Sequence, residues 1–300
     1  MQYKPQIALF TSILSVSFAA IFIVFCSAAP LAISFYRVFF TTLFLVPIFF
    51  IYPKYANELK QIKKKQLIIM IGIGIILAVH FSLWITSLKL TSVASSVLLV
   101  TMHPIVVGPL AHFIFKERMS LLSLFGIIIS IIGLILLIYG NDISGFGLDS
   151  LEGNLLALFG GIAAGIYILG GRNMRKEVSI IPYAFTVYGV AASVLLVLCL
   201  LINPLMLTIS QQDLQLILLM ALISGIFGHT LYNWSLAHIR ATIASVALLG
   251  EPIGSAFFAY SIPMIHQIPS LYTLIGGGII LSGIFVTIQT MPKIQPSPIS

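Results

Sequence analysis

The chain has 300 residues, of which 59% are hydrophobic and only 8% charged, and its formal net charge is +7. A soluble domain carries about 25% charged residues because its surface must face water, so a water-soluble globule is excluded and an integral membrane protein is expected. Continuous apolar runs such as Leu67–Ile76 and Leu121–Ile138 also argue against a β-barrel, whose strands alternate polar and apolar residues.

A helical crossing needs about 20 apolar residues. On that scale the polar breaks divide the chain into ten expected spans: 6–28, 31–52, 67–88, 92–115, 120–140, 154–172, 180–202, 214–237, 242–264 and 270–290. Lys4, the apolar run after it and Ser27-Ala28-Ala29 imitate a cleavable secretion signal. The run is long for a signal and a second begins at Leu31, so 6–28 is read as span one. Bulky Phe25 before Cys26 speaks against a lipoprotein site. Cys26 and Cys199 both sit in apolar runs and read as small packing residues.

Cytoplasmic loops retain lysine and arginine. With the N-terminus inside, thirteen of the fifteen basic residues fall on the inner side: Lys4, Lys54, Lys60, Lys63–Lys65, Lys116, Arg118, Arg172, Arg175, Lys176, Arg240 and Lys293. Lys89 falls outside and Arg37 within span two. The 141–153 loop carries Asp142, Asp149 and Glu152 and no basic residue, as an outer loop can. A multi-pass cell-membrane protein with both termini cytoplasmic is expected.

The two halves resemble each other. Pro30, Ala32, Tyr36 and Val38 of span two recur as Pro182, Ala184, Tyr188 and Val190 of span seven, 152 residues on. Ser120-Leu121, Gly126, Ile129 and Gly133 of span five recur as Ser270-Leu271, Gly276, Ile279 and Gly283 of span ten, at an offset of 150. Trp84 pairs with Trp234 and Ala94-Ser95 with Ala244-Ser245 at 150, and Pro104 with Pro252 at 148. The expected organisation is a five-helix repeat over 1–140, an extracytoplasmic linker over 141–153, a second repeat over 154–290 and a cytoplasmic tail over 291–300. An odd number of spans per half inverts the second half in the membrane. Inverted repeats around a midplane site are a transporter architecture.

Ionisable groups within lipid are costly and are functional candidates by default. Here they are Arg37, His80, His103, His112, His229 and Glu251. Glu251 precedes Pro252, and His103 precedes Pro104, so a titratable residue stands beside an expected helix break in each half. His80, Trp84 and Ser87 follow i, i+4, i+7 and share one face, as do Ser92, Ser96 and His103. Span eight carries His229, Tyr232, Asn233 and Trp234; span nine carries Glu251 and Ser255. A cavity between spans three, four, eight and nine would suit an amphipathic organic solute. The expected substrate-binding residues are His80, Trp84, His103, His229, Tyr232 and Glu251, with Tyr167 of the glycine-rich span six added. Pro104 and Pro252 are the expected gating breaks. Glu251 is the expected proton-coupling residue, since desolvation disfavours a lone carboxylate's charged form.

Structural readings stand beside these. Membrane serines and threonines usually bond their own backbone or a neighbouring helix, and His112 lies close enough to a span end to reach water. His229, Trp84 and Trp234 also read as packing residues. Arg37 is weighed toward a structural role, with pairing to Glu251 as one form of it. The glycines at 160, 161 and 165, and at 276 to 278, permit close helix packing.

A phosphate-cradling glycine-rich loop followed by lysine, an HExxH pattern and a Gly-x-Ser-x-Gly elbow are all absent from the sequence. ATP drive, a metal site and hydrolase chemistry are therefore not expected, nor is nucleic-acid binding, because the basic residues follow the loops.

Ten spans in a five-plus-five repeat, Arg37 in span two, the stretch His80 to Ser95, Lys116-Glu117-Arg118 and Leu249-Gly250-Glu251-Pro252-Ile253 together resemble the EamA-like drug/metabolite transporter superfamily along essentially the whole chain. The resemblance implies a basket of helices around a central cavity, with spans one, three, four, six, eight and nine inside. It also implies ATP-independent movement of metabolites or drugs, commonly outward, without a bound cofactor. Two positions depart from that pattern: His266-Gln267 replaces the acidic turn after span nine, and His103 stands where an apolar or acidic residue is more usual. The expected protein is thus an all-α secondary transporter for a small-molecule solute such as an amino acid. A lipid flippase of the same fold and an intramembrane lipid-modifying enzyme are the alternatives.

Overall fold

The computed structural model describes residues 4–91, 93–116, 119–139, 151–262, 268 and 270–290. Ser92, Glu117, Arg118, positions 141–150 of the expected linker, His266, Gln267 and the expected 291–300 tail lie outside the described residues. Every regular element among those described is helical. Among the described residues, nine helical segments are long and apolar enough to cross a bilayer, and the apolar stretch Leu121–Leu137 is shorter.

Span one is two helices, α1 (Lys4–Val16) and α2 (Phe18–Phe25), where an unbroken helix is expected. Ser17, at the break, is bonded both within its own helix and to span nine. Its Oγ donates to the Ile13 carbonyl at 2.8 Å and lies 3.1 Å from the Glu251 carbonyl, while its own carbonyl accepts from Ser255 Oγ at 2.9 Å. A hydroxyl bonded to the carbonyl one turn back bends a helix.

α3 (Pro30–Ile51) starts on proline, whose missing N–H costs nothing in the first turn. The polar stretch after it folds as a short helix, α4 (Pro53–Gln61), without a buried residue. α5 (Lys64–Leu90) has 27 residues. Span four is broken into α6 (Val93–Thr101) and α7 (Pro104–Phe115). Next come α8 (Leu121–Tyr139), α9 (Leu151–Met174) and α10 (Ile180–Ile202).

Span eight is not uniformly α-helical. It runs from α11 (Gln211–Met220) through a π-helical segment, Ala221–Thr230, to α12 (Leu231–Ser235). Thr230 Oγ1 donates to the Gly225 carbonyl five residues back at 3.0 Å, which suits the wider turn. Span nine comprises α13 (Ala241–Ala247), a 3₁₀ turn over Leu248–Gly250 and α14 (Glu251–Ser261), and α15 (Leu271–Thr290) follows.

The polarity is inside-out relative to a soluble protein. Leu121, Phe50 and Phe113 are exposed, whereas Arg37, His80, His103 and Asn233 are buried. Lipid solvates the former, and helices satisfy their own backbone groups within it.

α8 lies against α15 with backbones nearly touching. A Cβ on Gly133 would sit 2.8 Å from the Gly276 carbonyl, and one on Gly126 would sit 2.8 Å from the Gly283 carbonyl. Ser130 Oγ donates to the Ile280 carbonyl at 3.3 Å between these two contacts. α9 makes a comparable approach to α6, where a Cβ on Gly161 would fall 2.8 Å from the Leu99 and Val100 carbonyls. Gly161 thus brings α9 against the broken span beside Val100, a cavity-lining residue.

Candidate functional site: a cavity between two helix breaks

A cavity of about 650 Å³, its open mouth included, is walled by side chains from seven of the spans. All seven expected binding residues line it: His80, Trp84, His103, Tyr167, His229, Tyr232 and Glu251. Arg37 and Thr101 join them, and Val16, Ala19, Val100, Ala164, Ile168 and Leu248 supply apolar wall.

The α5 side is built by helical spacing. His80 and Trp84, one turn apart, stack with ring centroids 6.0 Å apart and planes 5° from parallel. His80 Nδ1 lies 2.9 Å from the Gly160 carbonyl, so a glycine of α9 orients the imidazole. His229, at the end of the π-helical segment, meets the ring of Phe81 edge-on at 5.3 Å.

The two breaks close the site from opposite halves of the sequence. His103 precedes Pro104 at the start of α7, and its Nδ1 is 2.7 Å from Ser245 Oγ of α13. Glu251 opens α14 just after the 3₁₀ turn and is followed by Pro252. The Glu251 side chain is half-buried.

Arg37 is the residue the sequence reading underweights. It is 2% exposed, and its guanidinium stands 4.3 Å over the Phe81 ring. Its Nη1 and Nη2 have no hydrogen-bond partner among the described residues. Neither nitrogen hydrogen-bonds Glu251, although both side chains line the cavity. Arg37 and His229 also border a smaller recess that reaches Thr41, Tyr188 and Gly225. The available signal was the rarity of an arginine within an apolar span; its direction depends on packing between α3 and α5.

Other highlighted residues serve packing. Ser87 and Ser96 bond each other at 2.6 Å, and Ser255 bonds Ser17. Trp234 meets His238 at a tilt of 39° with ring centroids 4.6 Å apart, outside the cavity wall, and His112 is exposed. Asn233 stands behind the wall: its Nδ2 donates to Tyr167 Oη, to Tyr188 Oη at 3.3 Å and to the His229 carbonyl at 2.7 Å. The Asn233 backbone carbonyl accepts from Arg175 Nε at 3.1 Å, and Arg175 Nη1 donates to the Val178 carbonyl. Burial lowers the Arg175 guanidinium to about 10, so it remains charged at neutral pH. Among the described residues no three of His, Cys, Asp and Glu gather as a metal-binding group.

The EamA-like transporter family matches the chain twice, over residues 6–139 and 151–289. The chain is 26% identical over 267 residues to the uncharacterized transporter YoaV of Bacillus subtilis (strain 168), covering 88% of this chain and 89% of that protein. An uncharacterized transporter of Archaeoglobus fulgidus is 21% identical over 168 residues, which cover 55% of this chain and 57% of the relative. A solved structure, titled only as the crystal structure of a protein, superposes with a TM-score of 0.79 at 17% identity over 97% of this chain and 98% of that one. That likeness establishes the fold.

Proposed function

The chain belongs to the EamA-like transporter family, and from that premise we propose that it is a secondary transporter of a small organic solute such as an amino acid. Movement is by alternating access, without ATP, and more readily outward. The observation that carries the reading is the cavity itself: His80, Trp84, His103, Tyr167, His229, Tyr232 and Glu251 line one space. That space lies beside the breaks that precede Pro104 and Glu251.

In this reading the ten spans are two inverted five-helix repeats, 1–140 and 154–290, joined by an extracytoplasmic linker. Leu121–Tyr139 counts as span five and brings the number of spans to ten. The two family matches, one per half, support it. So do the contacts of α8 with α15. Gly126 meets Gly283 and Gly133 meets Gly276, and each glycine's counterpart 150 residues on takes part in the other contact. That reciprocity is the pattern of a two-fold axis. The distribution of basic residues supports cytoplasmic termini and a cell-membrane location.

The proposed cycle uses the breaks as pivots. A helix interrupted near the bilayer midplane can tilt its halves separately and expose a shared site to either side. Glu251, beside one pivot and against the cavity, takes up and releases the coupled proton as access alternates. No cofactor is required for this chemistry.

Counterflow in proteoliposomes tests the proposal without assuming a driving force. Vesicles are loaded with amino acids, nucleosides and polyamines, and entry of trace labelled members is followed. Accumulation of one label supports a carrier. Folded protein that accumulates none, but translocates a labelled lipid or modifies it, overturns the solute-transporter reading.

A further inference from the structure

We propose that the cavity binds a solute carrying one carboxylate on an apolar body, and that Arg37, Trp84 and Tyr232 hold the carboxylate. This deepens the transporter reading and rests on it for the claim that the solute is moved.

Four buried polar atoms on the cavity's side chains lack a hydrogen-bond partner among the described residues: Arg37 Nη1 and Nη2, Trp84 Nε1 and Tyr232 Oη. Arg37, Trp84 and Tyr232 are 2%, 6% and 3% exposed, so none is a solvated surface group. Guanidinium and indole nitrogens can only donate, and a phenol can donate. Three side chains that line one cavity and each keep an unpartnered donor call for an acceptor, not for another donor.

Charge narrows the acceptor. Arg37 supplies a permanent positive charge, and a planar guanidinium matches the two oxygens of a carboxylate. An ammonium group at the same position would meet like charge. A phosphate would bring a second negative charge into a cavity that Glu251 also lines. A single carboxylate pairs with the Arg37 charge, as a neutral acceptor does not, and meets less repulsion from Glu251 than a phosphate does. The rest of the wall asks for an apolar or aromatic body: Val16, Val100, Ile168 and Leu248 line it, beside the stacked His80 and Trp84 rings.

Trp84 is also the reporter. The sequence has two tryptophans, so Trp234→Phe leaves Trp84 as the sole indole emitter. The full chain in that background, in detergent micelles, is titrated with 3-phenylpropionate, its amide, 2-phenylethylamine and phenyl phosphate. Saturable quenching by 3-phenylpropionate is expected, with the other three at least about tenfold weaker, the effect of losing a charge-assisted hydrogen bond. Arg37→Gln should weaken the carboxylate about tenfold or more and Arg37→Lys less, because lysine keeps charge and loses the planar fork.

Equal or tighter binding of the amide, amine or phosphate overturns the proposal, as does no binding of the carboxylate or binding indifferent to Arg37→Gln. If Arg37→Gln does not fold, the ligand series on the arginine-bearing protein decides alone. The two readings fail separately. Carboxylate binding without counterflow sinks only the transporter reading. Counterflow of a non-carboxylate solute, unchanged in Arg37→Lys, sinks only this one.

Discussion

His103 Nδ1 and Ser245 Oγ lie 2.7 Å apart although 142 residues separate them in the chain. One belongs to the break in span four and the other to the helix that leads into the break in span nine. The two interruptions are thereby tied together at the cavity, and both groups are buried.

Ser245→Ala leaves the histidine without that partner. It should lower stability by about 1 kcal/mol, the scale of an interhelical hydrogen bond in a membrane protein. Unfolding in mild detergent reads it, and an unchanged midpoint would show that the contact carries no stability.

The three consecutive glycines of α15 should respond differently to alanine. A Cβ at Gly276 would fall 2.5 Å from the Leu137 nitrogen and 2.6 Å from the Gly133 carbonyl, and backbone cannot rotate away. Gly276→Ala should therefore cost about 1–3 kcal/mol through overpacking. Nothing lies within 4 Å of the corresponding atom at Gly278, so Gly278→Ala should stay within about 0.5 kcal/mol of the parent. Equal behaviour of the two variants in a thermal-unfolding series would remove the backbone-contact account of the α8–α15 pair.

Glu251→Gln keeps the size of the side chain and removes its titration. If Glu251 carries the coupled proton, the variant should still perform counterflow but lose its response to an imposed pH gradient. Gradient-driven uptake that persists in the variant would assign coupling elsewhere.

Arg175 joins the end of span six to the cavity's second layer through the Asn233 and Val178 carbonyls. Arg175→Met leaves both without that donor and should cost about 1–3 kcal/mol. The sign of its pH dependence follows from burial, which lowers the folded-state value to about 10, below the ordinary 12.5. Below about pH 10 folded and unfolded states both hold the proton, so this residue adds no slope to stability at neutral pH. Between the two values the unfolded state holds more, and stability rises with pH. The difference between parent and variant should thus be flat across the neutral range; a sloping difference there would contradict the assignment.

Much of the site was legible because it depends on short-range periodicity. His80 and Trp84 stack because a helix turns once in 3.6 residues, a relation present in any helix containing them. The break before Pro104 was legible because proline lacks the donor a continuous helix needs. The π-helical turn at Ala221–Thr230 was not, because it has no fixed residue pattern and depends on how close neighbouring helices come. A Cβ on Gly225 would lie 2.9 Å from Thr41 Cγ2 of α3. Arg37 was visible as an oddity, but whether it pairs or stands free could not be read from one helix.

By itself, then, the sequence determined the solvent, the helical class and the helix breaks beside Pro104 and Pro252. Each follows from the transfer cost of side chains into lipid and from the covalent geometry of single residues. Only the tertiary structure decided that Arg37, Trp84 and Tyr232 keep buried polar atoms without a hydrogen-bond partner among the described residues, beside one cavity. Whether a buried donor is satisfied depends on distances between helices far apart in the chain, and no local pattern carries those distances.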